Sequence, residues 1–186
     1  MWLILAGRGW GKTRTGAQDI AHYALTNPDT LSAVVAPTFG DLRRVCFGGP
    51  SGLRAIIPDE CYEVSRGRKS YSETTAEIRL ANGSKIIGYA AIEPDRLRGP
   101  QFHRAWCDEV AAWRYPEAFD QLMFGLRLGK NPQCLITTTP KPNKIIKDLV
   151  SRDDVYVTSG NTFENEANLA DSALAMLKEK YEGTAL

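Results

Sequence analysis

The sequence predicts an α/β domain whose central sheet is mostly parallel and flanked by helices. Three features predict it: apolar runs that alternate with helical patterns, a glycine-rich loop between the first such run and the first helix, and an Asn82-Gly83 turn marking one antiparallel hairpin. At 186 residues the chain has the size of one domain, and its 43% apolar residues suffice for a real core.

The elements follow in order. Trp2 to Leu5 is a short apolar run before glycines, as expected of a buried parallel strand. Thr13 to Leu25 reads as a helix, stopped by Asn27-Pro28. Leu31 to Pro37 is a second strand, rich in valine and closed by proline, and Asp41 to Phe47 fits a short helix before Gly48-Gly49-Pro50. From Tyr71 to Ala91 the pattern becomes that of a hairpin, with extended runs on either side of Asn82-Gly83. After the loop "IEPDRLRGPQ", the stretch "HRAWCDEVAAW" is strand-like and closes on two acids. Pro116 to Gly129 is an amphipathic helix with Phe119, Leu122, Met123 and Leu126 on one side. "QCLITTTP" is a strand ending in hydroxyls, and "NKIIKDLVS", "DVYVTSG" and a helix from Asp171 to Tyr181 complete the chain.

Composition narrows the function classes. Lys plus Arg number 23 against 22 Asp plus Glu, so any contact with nucleic acid must come from local basic patches. Cys46, Cys61, Cys107 and Cys134 form no C-x-x-C pair, and with only His22 and His103 they read as buried reduced thiols, not a zinc site. No run reaches the roughly 18 apolar residues of a membrane span. "MWLILAG" lacks the basic start of a secretory signal and runs straight into the glycine loop.

That loop is Ala6-Gly7-Arg8-Gly9-Trp10-Gly11-Lys12-Thr13, the phosphate-loop pattern with Ala in place of its first Gly. Glycines let successive backbone N–H groups converge on phosphate oxygens, and the following helix offers its N-terminus to the same anion. Lys12 reaches for the β- and γ-phosphates and the Thr13 hydroxyl for Mg²⁺. The plainer reading, a glycine-rich turn with an incidental lysine, does not explain a strand before the loop and a helix after it.

A metal-side carboxylate is expected at the end of another strand, and Asp108-Glu109 supplies it after Ala105-Trp106-Cys107. Asp108 suits the Mg²⁺ shell, and Glu109 suits a base that orients water. A small-molecule kinase must exclude water and has no use for such a glutamate. A GTPase should carry N-K-x-D, and "NKII" has Ile146 where Asp belongs. The pair therefore points to an ATP-hydrolysing, RecA-like (ASCE) P-loop NTPase, against the bland reading of an acid pair opening a helix. Arg8, Arg96 and Arg98 are candidates to stabilise transition-state charge or to lie solvated at the surface. Thr137, Thr138 and Thr139 end a strand, where a hydroxyl can meet the γ-phosphate or the hydrolytic water, or where threonine simply suits a strand.

Together, "LAGRGWGKTRTGA", "LRGPQFHRAWCDEVAAW" and "CLITTTPKPN", in this order, resemble the ATPase domain of the large terminase subunit of tailed bacteriophages and prophages. The likeness covers essentially the whole chain. It implies Mg²⁺-dependent hydrolysis of ATP to pump double-stranded DNA into procapsids, by a homo-oligomeric ring docked on the portal and served by a small terminase subunit. It places the protein in the cytoplasm of an infected bacterium, with no membrane partner. By matching position, Gly7 to Thr13 would bind nucleotide, Thr13 and Asp108 the metal, and Glu109 would be catalytic. Arg98 would be the trans arginine finger, Arg8 the arginine of the loop, and Thr137 to Thr139 the coupling motif. The family's adenine-contacting segment lies upstream of the phosphate loop and its nuclease domain downstream. Residues 1–186 are accordingly expected to form a single ATPase domain without either, and to lack nuclease activity.

Two other readings stand beside this one. A helicase-type remodelling ATPase would need further motifs and a second lobe, and a nucleotide-binding assembly module would need little turnover. For DNA contact, the basic clusters are Arg43-Arg44, then Arg66, Arg68 and Lys69, then Lys141, Lys144 and Lys147, each also readable as ordinary solvated surface.

Overall fold

The computed structural model describes residues 1–65, 67–161 and 164. Strand β1 (Trp2–Ala6) runs into the glycine loop and helix α1 (Lys12–Thr26), followed by β2 (Leu31–Ala36). Helix α2 (Phe39–Asp41) widens into a π-helical turn over Leu42–Phe47, and α3 (Leu53–Ile56) follows. Short strands β3 (Val64–Ser65), β4 (Arg68–Lys69), β5 (Tyr71–Ser72) and β6 (Glu77–Arg79) precede β7 (Lys85–Ala90). Then come β8 (Arg104–Asp108), α4 (Glu117–Gly125), β9 (Gln133–Thr138), α5 (Lys144–Val150) and β10 (Tyr156–Gly160). The expected helix from Asp171 to Tyr181 lies outside the described residues.

The main sheet has eight strands in the order β10-β1-β9-β8-β2-β7-β6-β5. The pairings from β10 to β7 are parallel, and β7–β6 and β6–β5 are antiparallel. This is the mostly parallel sheet with a hairpin that the alternation of elements predicts. β3 and β4 form a separate small ribbon.

Both faces of β1, β9, β8 and β2 are largely buried, which is why they read as nearly continuous apolar runs. Side chains alternate between two cores. Ile4, Val34, Ala36, Trp106 and Leu135 meet α1 and the π-turn on one face. Leu3, Ala33, Val35, Ala105, Cys107, Cys134 and Ile136 meet α4 and α5 on the other. Helix α1 presents Gly16, Ala17, Ile20, Ala21 and Ala24 to the sheet at helical spacing. Gly16 is required there: a Cβ would lie 2.2 Å from Cε2 of the Trp106 ring.

The hairpin turn also serves the helix. Leu80 O accepts from Gly83 N–H at 3.0 Å, and Gly83 takes the left-handed φ of 86° that closes such a turn. The Asn82 amide then donates to the carbonyls of Ala24 (2.9 Å) and Leu25 (3.2 Å), which lie in the last turn of α1, where carbonyls lack helical partners.

Where structure departs from expectation, the reasons are local. Asp41–Phe47 is helical as expected but wound wider, with Gly48 N–H reaching Arg43 O at 2.9 Å. The strand ending on Asp108 stops there, because Glu109 turns left-handed and Val110–Ala112 is a 3₁₀ turn. The extended run before the hairpin is broken at Ala76, whose φ is 49°. Among the described residues no helix is long and apolar enough to cross a membrane.

Candidate active site

Parallel pairing brings the C-terminal ends of β1, β9, β8, β2 and β7 to one edge of the sheet, where ligands of open α/β sheets bind. The glycine loop leaves β1 at this edge. Gly9 (φ 78°) and Gly11 (φ 105°) take left-handed conformations, and no atom lies within 4 Å of where a Gly11 Cβ would stand. Gly11 caps α1 with no side-chain hydrogen bond, so the first turn keeps its N–H groups for an incoming anion.

Lys12 is the charge of this cradle. Its Nζ donates to Gly7 O at 3.0 Å and stands 3.7 Å from Glu109 Oε1. Burial pushes its ammonium below the usual range, while Glu109 and Asp108 pull the other way. A buried lysine over the uncapped start of α1 fits a phosphate chain, which would supply the counter-charge. Thr13 follows at the half-buried start of α1, and Arg8 is exposed beside the loop, close enough to bear on Lys12.

β9 lies between β1 and β8, so its end separates the loop from the acids. The threonines occupy this partition and each bonds differently. Thr137 Oγ1 donates to Asp108 Oδ1 at 2.8 Å and accepts from Trp106 Nε1 at 2.7 Å. Thr138 Oγ1 accepts from Ala111 N–H at 3.1 Å. Of the three, Thr139 reaches Glu109, through its N–H to Oε2 (3.1 Å) and its hydroxyl to Oε1 (3.0 Å). Thr137 and Thr138 are fully buried, and their hydroxyls hold the acid-bearing turn from behind.

Asp108 is itself buried, with 3% of its surface exposed. Its Oδ2 accepts from the Cys46 thiol at 3.7 Å. Burial pushes the Asp108 carboxyl up to about 6; the Thr137 bond opposes this, Glu109 adds to it, and the Cys46 bond and Lys12 oppose it. A divalent cation beside such a buried carboxylate would offset its charge. Burial and Asp108 together push the Cys46 thiol well up, so it stays a protonated donor. Glu109 holds φ 48° with its N–H on Thr137 O at 2.7 Å. The turn behind it is tied down by Trp113 Nε1 on Asp108 O (2.9 Å) and Asn143 Nδ2 on Ala111 O (2.9 Å).

The structure thus brings Lys12, Asp108, Glu109 and Thr137 to Thr139 together. It keeps Arg98 apart: that side chain is exposed on the loop after β7 and pairs with Asp95 at 3.3 Å, as Arg96 pairs with Glu93. The basic clusters also part. Arg43 and Arg44 ride the π-turn against the α1 face, while Lys144 and Lys147 lie on α5 at the opposite face. Lys69 is paired with Asp59, and Arg66 lies outside the described residues. Sequence reasoning missed Cys46, Trp106 and Asn143; each acts across 30 or more residues, and no local pattern signals such a contact.

The family model for the N-terminal part of the terminase large subunit, T4-like-virus type, matches residues 3–170. No curated protein sequence matches the chain significantly. Among solved structures, the large terminase ATPase domain of Thermus phage P74-26 aligns with a TM-score of 0.66 at 14% identity, over 97% of this chain and 82% of that one. The large terminase of a second, thermophilic bacteriophage, in complex with ADP, aligns with a TM-score of 0.75 at 15% identity over 97% of this chain. This chain spans only 45% of that thermophilic phage protein. A DEAD box protein of the hyperthermophile Methanococcus jannaschii aligns with a TM-score of 0.54 at 16% identity, over 95% of this chain and 52% of that one. At these identities the shared property is the fold, a RecA-like P-loop architecture.

Proposed function

The chain belongs to the terminase large-subunit family, and from that premise we propose that it is the Mg²⁺-dependent ATP-hydrolysing motor part of a viral DNA-packaging enzyme. One observation carries this reading: Lys12 of the phosphate loop and Glu109 of the acid pair meet at 3.7 Å over the same sheet edge, beside buried Asp108. A binding module needs the lysine but not a glutamate in a left-handed turn whose carboxylate is held by Thr139.

In this reading the loop N–H groups and Lys12 hold the triphosphate, and Lys12 exchanges its contacts with Gly7 O and Glu109 for phosphate oxygens. Mg²⁺, held with Thr13 and Asp108, would neutralise charge on the β- and γ-oxygens. Glu109 orients the attacking water and takes its proton; the two bonds from Thr139 fix where that carboxylate points. Release of Lys12 and loss of the γ-phosphate both change what Glu109 faces, so Thr139 and β9 are placed to pass that change into the sheet. Arg98, exposed and paired with Asp95 instead of with these groups, suits action on a neighbouring subunit's nucleotide; Arg8 suits contact within its own site. The thermophilic phage terminase has also been seen with ATP-gamma-S, which supports a nucleotide in the equivalent place here. Double-stranded DNA, a ring on the portal, a small terminase subunit and the infected cell's cytoplasm complete the proposal.

The test is Glu109→Gln. It should retain binding of ATP with Mg²⁺ while turnover falls by about a hundredfold or more, the usual span of a lost general base. Near-normal turnover in that variant removes the assignment.

A further inference from the structure

The phosphate loop also leans on a strand that this chemistry does not use. β10 is the edge strand beside β1, and its last residue, Gly160, pairs with Ala6, the residue just before the loop. Gly7 N–H donates to Gly160 O at 3.2 Å. The Trp10 indole lies directly on the bare Cα of Gly160: a Cβ there would stand 2.1 Å from Nε1 and 2.4 Å from Cε2. Trp10 Nε1 then donates to Glu164 Oε2 at 3.1 Å. Gly160 is not among the glycines with positive φ, so its backbone would accept any residue; the indole is what excludes a side chain.

We infer that Gly160 is a positioning residue for the phosphate loop, acting through its contacts with Gly7 and Trp10. The inference rests on the ATPase reading above. Gly7 and Trp10 bracket Arg8 and Gly9, the stretch where the loop bends through a left-handed glycine. A glycine-rich stretch loses more conformational freedom than any other when it is ordered around an anion. Anchoring both its ends on a strand pinned by sheet pairing removes part of that loss before nucleotide arrives, and such preorganisation is read as affinity. The two anchors need Gly160 for different reasons. Its carbonyl serves Gly7, and its missing side chain admits the ring.

The test compares binding of a fluorescent ATP analogue with Mg²⁺, and the thermal midpoint, in the 186-residue protein and its variants. Gly160→Ala should weaken binding about tenfold, because the added methyl must displace the ring and the loop end attached to it. The midpoint should hardly move, since Trp10 is only half-buried and gives way outward. In a Trp10→Ala background, adding Gly160→Ala should change binding by less than about twofold, because there is no ring left to displace. A purely structural glycine would lower the midpoint and act alike in both backgrounds. Trp10→Phe keeps a ring on Gly160 and should bind several-fold better than Trp10→Ala; this comparison stands even if Gly160→Ala fails to fold. Wild-type affinity in Gly160→Ala, equal effects with and without Trp10, or equal binding by the Phe and Ala variants each overturns the inference. Absence of binding by the wild-type protein overturns the ATPase reading itself.

Discussion

Replacing Asp108 with asparagine should destroy turnover and yet stabilise the nucleotide-free protein at neutral pH. The Asp108 carboxyl is pushed up to about 6 from an ordinary 3.8, chiefly by burial. In the window between those values the folded chain holds a proton that the unfolded chain has lost. Stability therefore falls as pH rises from about 4 to about 6, and above that the full cost of a buried charge is present. A displacement of about two pH units at about 1.4 kcal/mol each amounts to about 3 kcal/mol. The variant amide escapes that cost and can still accept from Thr137, but it must place a new N–H₂ group near the Cys46 thiol, which takes back about 1–2 kcal/mol. The net gain is about 1–2 kcal/mol at pH 8, or a thermal midpoint higher by about 2–8 °C for a domain this size. Urea and thermal unfolding in chelator at pH 8, 6 and 4.5 measure it, and the advantage should shrink steadily toward pH 4.5. A variant no more stable than wild type at pH 8, with a gap indifferent to pH, would refute the reasoning.

Three further outcomes follow from the same geometry. Thr139→Val removes the hydroxyl bond to Glu109 but keeps the backbone one; turnover should drop about tenfold with ATP affinity changed less than about twofold, and unchanged steady-state turnover would show that the hydroxyl does not place the glutamate. Gly16→Ala drives a methyl to 2.2 Å from the Trp106 ring and should cost about 1–3 kcal/mol in denaturant unfolding, whereas wild-type stability would mean that α1 is not seated on that ring. Mixing Arg98→Ala with Glu109→Gln protein should restore part of the ATPase activity that each lacks, if Arg98 acts on a neighbour; no rescue under conditions where subunits associate would assign it to its own site or to none.

Much of the fold was written locally. The strand, glycine loop and helix from Trp2 to Leu25 are adjacent in sequence, and their hydrophobic pattern and glycine spacing suffice to place them. The hairpin turn at Asn82-Gly83 is likewise a matter of neighbouring residues. The Asp108-Glu109 pair could be found because a strand-like run ends on it. Other features depend on which strands become neighbours, and no periodicity states that. The insertion of β9 between β1 and β8 puts Thr137 against Asp108 and Thr139 against Glu109. Taken from sequence, these threonines could meet phosphate or water or simply suit a strand; packing buries Thr137 and Thr138 and sets Thr139 on Glu109. Cys46 met Asp108 only because the π-turn rotates it there, and Trp10 met Gly160 only because β10 pairs with β1. Surface charges were the least legible, since Arg43, Lys69 and Arg98 take acidic partners that composition does not reveal.

Glu109 occupies a backbone conformation, φ 48°, that glycine and asparagine adopt readily and that costs other residues about 1–2 kcal/mol. A chain that needed only a bend after β8 could make it with glycine and without that backbone cost. The position therefore records a preference that backbone geometry alone would reverse. Glu109→Gly should relieve that backbone cost, but it forfeits the bonds from Thr139 and the ion pair with Lys12, so it should gain little stability and lose turnover. In a chain of unknown competence, the letter found at this bend is a compact indicator of whether the catalytic turn is still in use.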